Sequence, residues 1–220
     1  MGRSEIAIVI PAFNESNTIL EVISDVKKYG DVLIVDDGST DNTRSIVEAT
    51  DATLLSHRDN AGYEAAISTG MKFAVENNYD YIITTDADGE LTHLGIQNFI
   101  DLLKEGNLLV VGKRNKKNRL MESIFGIFTF LRFGIHDPLC GMKGYSADIY
   151  RKYNSFDNKK MIGTELLAYS IRDKLKFQQL FVEVKKRDGE SRYGGSFSSF
   201  LRISRVMFLF FCITLKKKDS

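Results

Sequence analysis

Two cysteines, Cys140 and Cys212, among 220 residues cannot staple a disulfide framework, and no CxxC pair offers a zinc site. Both read as buried packing residues, and their scarcity favours a reducing, cytoplasmic setting. Prolines also number two, Pro11 and Pro138, so no proline-rich linker divides the chain. The three histidines, His57, His93 and His136, share no ligand spacing. Charge of neither sign dominates: 30 Lys and Arg against 29 Asp and Glu leave +1, which excludes a polycation that coats nucleic acid. GxGxxG and GxxxxGK[ST] are both missing, so dinucleotide-fold and P-loop readings have no support. The apolar run at 6–10 is too short for a signal-peptide core. Gly2 makes a poor myristoylation signal, because Ile6 stands where Ser or Thr is wanted. The longest apolar run, 206–213, falls well short of the roughly 20 residues needed to span a bilayer.

What remains is a soluble-type composition, 43% hydrophobic and 27% charged, enough for one core. Short β-branched runs alternate with helical patterns. Strands are expected at 6–10, 32–35, 53–55, 81–85, 108–111 and 180–184. Helices are expected at 16–28, 41–49, 61–76, 94–104, 121–135, 161–174 and 196–215. Strand–helix alternation predicts crossover units and a mostly parallel sheet flanked by helices. Ligands of such sheets sit beyond the carboxyl ends of the strands. The loops after Ile10, Val35, Thr85 and Val111 should therefore line one site. The organisation expected is a catalytic domain over 1–195 and a C-terminal amphipathic basic helix over 196–220.

Three of those strand ends carry carboxylates and one carries cations. Asp86-Ala87-Asp88 places two carboxylates where both reach one hard cation. Mg²⁺ or Mn²⁺ is held in this way, by one or two carboxylates plus the phosphate oxygens of a substrate. Glu90 adds a third oxygen donor. The plainer alternative is an Asx-turn closing the strand. Asp36-Asp37 has two readings as well: a helix cap, or a carboxylate accepting from a nucleotide base.

The ordered motifs PAFNE, VDDGSTDNT, NAGYEAAISTG, TTDADGE, VGKR and DPLCGMKGYS resemble family 2 glycosyltransferases. The likeness is greatest to the dolichyl- and polyprenyl-phosphate sugar transferases and spans about 6–195. It implies a GT-A fold, a nucleotide-diphosphate sugar donor, a divalent metal and inversion at the anomeric centre. It also implies that Pro11, Ala12, Phe13 and Glu15 contact the nucleoside and that Asp37 holds the base. Asp86 and Asp88 would meet the metal and diphosphate, with Ala87 against the ribose. Glu90 falls where the subgroup often has Gln; it keeps a ligand oxygen and adds a negative charge. Asn60-Ala61-Gly62 would shape the loop before a helix. Asp137 and Gly141 match the acceptor-side loop, and Arg187, Ser191 and Arg192 a basic loop near the diphosphate.

Charge separates two acceptor classes. A hydroxyl acceptor needs a general base, for which Asp137 is the candidate. A lipid phosphate is already anionic and needs cations instead. Lys113, Arg114, Lys116, Lys117 and Arg119 cluster after the fifth strand, and Arg114 and Arg119 suit phosphate best because guanidinium binds it bidentately. The leading expectation is transfer to a lipid phosphate, peripheral on the cytoplasmic membrane face. The runner-up is the same chemistry on a sugar hydroxyl in cell-envelope glycan assembly. A catalytically idle binding module sits poorly with Asp86, Asp88, Asp137 and Arg192 all present. A sugar nucleotidyltransferase would want a glycine-rich basic loop where PAFNE stands.

The C-terminal segment carries the other signal. Nine basic against three acidic side chains fall in 185–220, so the rest of the chain is net acidic. Phe197, Phe200, Leu201, Ser204, Phe208, Phe211 and Leu215 recur at helical spacing, and from 206 the helix is apolar all round. Such a helix must pack on the domain, on a second subunit or on lipid. The expectation is that it rests on a membrane surface, its basic residues attracted to anionic lipid. A homo-oligomer or a membrane partner protein would be the other cover.

Overall fold

The computed structural model describes residues 4–115, 120–185 and 196–216, with side chains of the last segment described from Ser199. The order of elements is β1 (Ile6–Ala12), α1 (Ile19–Val26), β2 (Asp31–Asp36), α2 (Thr43–Glu48), β3 (Thr53–Ser56), α3 (Tyr63–Glu76), β4 (Tyr81–Thr84), α4 (Ile96–Lys104), β5 (Leu109–Arg114) and α5 (Leu120–Phe133). Then follow β6 (Lys143–Ser146), α6 (Ala147–Tyr153), α7 (Glu165–Arg172), β7 (Phe177–Val182) and α8 (Ser196–Leu215). The seven strands form one sheet in the order β3-β2-β1-β4-β6-β5-β7. Every pair is parallel except those of β6, which runs against β4 and β5.

Side chains alternate across the sheet because a strand repeats every two residues. Ala7 and Val9 thus enter one core with α3, α5, α7 and α8, while Ile8 and Ile10 enter the other with α1, α2 and α4. The helices bury matching stripes, such as Ile19, Val22, Ile23 and Val26 on α1 and Ile96, Phe99, Ile100 and Leu103 on α4.

The fold expected from the sequence is present: a mostly parallel sheet with helices on both faces. Two elements had no counterpart in the sequence reading. Strand β6, Lys-Gly-Tyr-Ser, has no apolar run to betray it, and α6 is a two-turn helix started by Ser146, whose hydroxyl accepts from the Asp148 amide. The last strand lies three residues earlier than expected at its start, because register with β5 pairs Leu109 with Phe177.

Helix α8 corrects the picture of an appendage beginning at 196. Ile203, Val206, Phe210 and Ile213 are buried in the same core as α3, α5 and α7. The Phe210 ring meets Phe125 edge-on at 5.4 Å and Phe133 at 6.1 Å. The expected apolar stripe is the opposite face: Phe200, Leu201, Phe208, Phe211 and Leu215 stand exposed. Sequence periodicity cannot choose between two apolar faces of one helix; the packing against α5 and α7 does.

Truncating a fully buried aromatic costs about 3–5 kcal/mol. Phe210→Ala should lower unfolding stability by that amount in a urea titration. A loss below about 1 kcal/mol would restore α8 to the status of an appendage.

Candidate active site

Strands β1, β2, β4 and β5 deliver their carboxyl ends to one edge of the sheet, and the reversed β6 delivers its beginning there. Lys143 pairs with Thr84 of β4 and with Val111 of β5. The loop 137–142 is thereby laid over the end of β4, where Asp86 follows.

The first two loops are stitched together. Asn14, held at φ 56°, accepts through Oδ1 from the Thr40 amide at 2.8 Å, and its own amide donates to Ser39 Oγ at 2.9 Å. The Glu15 amide donates to Thr43 Oγ1 at 2.7 Å. Pro11 and Ala12 end β1 beneath this turn, and Phe13 projects from it, 40% exposed. Asp36 closes its own turn by accepting from the Ser39 amide at 3.1 Å.

Asp37, expected to hold a base, directly follows β2 with protein partners of its own. Its carboxylate is buried and accepts from the Ala61 amide (2.9 Å), the Gly62 amide (2.8 Å) and His57 Nδ1 (2.6 Å). Nε2 of His57 reaches Thr69 Oγ1 at 2.9 Å. Asp37 therefore clasps the 57–62 loop to the end of β2, and Gly62, at φ 95°, lets the chain turn into α3. The loop-shaping role expected for Asn60-Ala61-Gly62 agrees with this arrangement.

Asp86, Ala87 and Asp88 follow β4. Asp88 Oδ1 accepts from the Glu90 amide at 3.0 Å, so the Asx-turn alternative is realised as well. Ala87 is buried. The Tyr63 hydroxyl donates to Asp86 Oδ1 at 3.3 Å. Across the site, Gly141 lies so close that a Cβ built there would be 2.1 Å from Asp86 Oδ2. Thr84 Oγ1 donates to the Gly141 carbonyl at 2.9 Å and fixes that approach. Burial, then the charge of Asp88, pushes the Asp86 carboxyl up to about 7, against the pull of Arg114, Lys143 and Tyr63. A buried carboxyl raised beside a second carboxylate is a fitting place for a divalent cation. Asp86, Asp88 and Glu90 do not form a ready three-ligand cage; among the described residues no three such groups are gathered. The Glu90 backbone is tied to the segment before 186, its carbonyl accepting from the Lys185 amide at 2.7 Å.

The end of β5 meets the 137–142 loop in a buried ion-pair network. Arg114 Nε donates to Asp137 Oδ2 at 2.7 Å, its Nη2 to Asp137 Oδ1 at 3.1 Å, and Nη2 again to Glu122 Oε2 at 3.2 Å. The Asp137 side chain is only 1% exposed. Lys143, also buried, donates from Nζ to the Cys140 carbonyl at 2.7 Å, and burial pushes its ammonium below the ordinary lysine range. The Cys140 thiol is pushed up to about 12 by burial and by Asp137, which leaves it inert. Four expected site residues, Arg119, Arg187, Ser191 and Arg192, lie outside the described residues, as do Lys116 and Lys117.

Sequence reasoning missed Tyr63, Lys143 and Glu122, although the first two stand inside motifs it quoted. It also missed what α8 does here. Arg202 pairs with the buried Glu64, next to Tyr63, and Glu64 Oε1 also accepts from the Ile162 amide at 3.3 Å. Arg205 donates to the carbonyls of Lys159 and Lys160, both at 3.2 Å. The loop they hold centres on Asp157, which accepts from the amides of Met161 and Gly163.

A family model described as glycosyl transferase family 2 matches residues 7–153. A UDP-N-acetylglucosamine–dolichyl-phosphate N-acetylglucosaminyltransferase of Methanococcus voltae is 28% identical over 66% of this chain and 71% of its own. A dolichyl-phosphate hexose transferase of Haloferax volcanii is 23% identical over 86% of each chain. Among solved structures, glucosyl-3-phosphoglycerate synthase of Mycobacterium tuberculosis, in complex with Mn²⁺ and UDP-glucose, superposes with a TM-score of 0.74. It is 22% identical, and the match covers 100% of this chain and 81% of that one. That likeness establishes the GT-A fold.

Two outcomes test the site. Gly141→Ala would drive Asp86 from its place, and disturbed neighbours of metal ligands cost about 10–100-fold in affinity. Calorimetry with Mn²⁺ should show such a loss; unchanged affinity would remove Asp86 from the cation site. Asp157 is raised from 3.8 to about 6, by burial first and by Glu64 and Glu165, against its backbone hydrogen bonds. The folded chain holds that proton more tightly than the unfolded one. The associated stability is fully present below pH 4 and is lost as pH rises through about 6, a decline of roughly 3 kcal/mol. Urea unfolding between pH 4 and 7 should show that decline flattened in Asp157→Asn.

Proposed function

The chain belongs to glycosyl transferase family 2, and from that premise we propose that it moves a sugar from a nucleotide-diphosphate sugar onto a polyprenyl or dolichyl phosphate, with inversion at the anomeric carbon. The observation that carries the choice of acceptor is the state of Asp137. A hydroxyl acceptor must give up a proton as it attacks. Asp137, the candidate base, is buried with both oxygens bonded to Arg114. With its side chain 1% exposed and both oxygens engaged by the guanidinium, it offers an approaching hydroxyl no open oxygen. A phosphate acceptor arrives anionic and needs no base, and the partly exposed Arg114 guanidinium is a cation within its reach. The names of the Methanococcus and Haloferax relatives, both of which specify dolichyl phosphate, support the same acceptor class.

In this reading the nucleoside rests on Pro11, Ala12, Phe13 and Glu15, with Asp37 fixing the wall behind them. Asp86 and Asp88 hold the cation and face the diphosphate, and Glu90 supports the turn through its backbone. Bound Mg²⁺ or Mn²⁺ supplies Lewis-acid neutralisation of the charge that gathers on the departing diphosphate. The sequence assigns Arg187 and Arg192 to the same charge from the other side, and Ser191 and Arg119 to the acceptor. An oxygen of the acceptor phosphate attacks the anomeric carbon opposite the leaving group. As the new C–O bond forms, the bond to the donor diphosphate breaks and its electron pair goes to the diphosphate oxygen. No proton has to move.

The test is sugar transfer from a panel of UDP- and GDP-sugars, with polyprenyl phosphate or with glycan hydroxyls as acceptor. Transfer to hydroxyls alone would overturn the acceptor assignment. Asp88→Asn should lower turnover at least about 100-fold, as expected for loss of a group that stabilises developing charge, with the melting temperature little changed. Full metal-dependent activity in that variant would remove Asp88 from the cation site.

A further inference from the structure

We propose that α5 and α8 together form a face that rests on an anionic lipid bilayer. The proposal deepens the lipid-phosphate reading, on which it rests, by naming the surface from which the acceptor is drawn.

Fourteen large hydrophobic side chains stand exposed among the described residues, and ten of them lie on these two helices. On α5 they are Leu120, Ile124, Ile127, Phe130 and Leu131, of which Leu131 is 79% exposed. Four of them, at 120, 124, 127 and 131, repeat with the period of a helix and so form one stripe. On α8 the exposed set is Phe200, Leu201, Phe208, Phe211 and Leu215, with Phe208 at 65%. The two stripes are one surface. Phe128 and Phe211 meet edge-on at 5.7 Å across the seam, above the buried contact of Phe125 with Phe210. A contiguous apolar area of this extent marks an interaction site.

Charge chooses the occupant. Across the described parts of both helices the one acidic side chain is Glu122, which is largely buried and paired with Arg114. Arg202, 38% exposed, pairs with Glu64, while Arg205 stays exposed although it donates to the Lys159 and Lys160 carbonyls. Among the described residues the exposed cations of these helices and their ends are Arg132, Arg205 and Lys216. An apolar face with basic edges and no exposed carboxylate complements anionic headgroups around an acyl interior. It offers a second copy of itself no opposite charge. Among the described residues no helix is long and apolar enough to cross a membrane, so the contact is one of resting on the surface.

The face also adjoins the acceptor side. Glu122, in the first turn of α5, holds the Arg114 guanidinium beside Asp137. A lipid phosphate at the bilayer surface would reach that guanidinium within a turn of the helix that touches lipid, while its polyprenyl tail stays in the membrane.

The experiment is co-sedimentation of the full chain with phosphatidylcholine vesicles, with and without phosphatidylglycerol. Wild type is compared with Ile127→Ser/Leu131→Ser, with Phe208→Ser and with the triple variant. Wild type should bind the anionic vesicles, less tightly as salt rises, and the triple variant at least about tenfold more weakly. Its melting temperature and Mn²⁺ affinity should be unchanged, since these side chains are exposed and away from the cation site. Wild type that stays in the supernatant at every composition overturns the proposal, as do variants that bind as well as wild type. So does a wild-type dimer, seen by analytical ultracentrifugation, that the triple variant dissolves without any vesicle binding. A short-chain, water-soluble polyprenyl phosphate separates the two readings. Transfer to it without vesicle binding leaves the acceptor standing and removes the membrane face; vesicle binding without transfer does the reverse.

Discussion

Strand β6 runs against its neighbours, and the site depends on that reversal. A parallel strand between β4 and β5 would start at the far edge of the sheet and send its preceding loop away from the carboxylates. The antiparallel strand starts at the edge where β4 and β5 end, as the pairing of Lys143 with both Thr84 and Val111 records. The loop 137–142 is thus pressed onto Asp86, close enough that only a glycine fits at 141. One topological choice brings the Asp86 carboxylate, the Arg114–Asp137 ion pair and a buried lysine into a single cluster.

That cluster is electrostatically tense. Asp86, Asp88, Asp137 and Glu122 share it with Arg114 and Lys143. Each cation is already engaged: Arg114 with Asp137 and Glu122, Lys143 with the Cys140 carbonyl. Asp137 is matched by a bidentate partner. Asp86 has a hydroxyl bond from Tyr63 and the more distant fields of the two cations, and it stays reluctant to ionise beside Asp88. The imbalance therefore sits on the pair of carboxylates nearest the loops of β1 and β2. A buried carboxylate pair short of positive charge suits a divalent cation, while at the other end each cation is already matched by a carboxylate or a carbonyl.

Much of this was legible in the sequence because much of it is repetitive. Continuous β-branched runs such as Ile6–Ile10 announce buried parallel strands, and carboxylates at their ends mark the functional edge. What escaped has a common physical reason. Strand β6 is short, and its Lys143 is kept by an ion network rather than by hydrophobic patterning. Tyr63 acts across 23 positions of sequence and Glu122 across eight, with no spacing rule connecting either to its partner. Asp37 was legible as important, but not as a clasp, since a carboxylate that accepts three hydrogen bonds from a distant loop leaves no trace in its own neighbourhood. The helix at 196–215 showed the reverse failure: its periodicity was plain, yet it carries apolar residues on both sides, and the inward face is chosen only by the shape of Phe125 and Phe133.

Helix α8 is where fold, site and surface meet. Its Phe210 face completes the core, its arginines bond Glu64 and the Lys159 and Lys160 carbonyls, and its other apolar face is left outside. Arg202 fixes Glu64 in the first turn of α3, and the adjacent Tyr63 bonds Asp86. Arg205 holds the carbonyls of Lys159 and Lys160, in a loop whose Gly163 approaches Lys143. A long helix anchored at so many points has little freedom to reorient, so its outer face keeps a fixed relation to the cation carboxylates. The exposed apolar stripe is accordingly part of a rigid body that includes the site. Any surface that meets this stripe also lies along α5, whose Glu122 bonds Arg114 and so joins the Asp137 network.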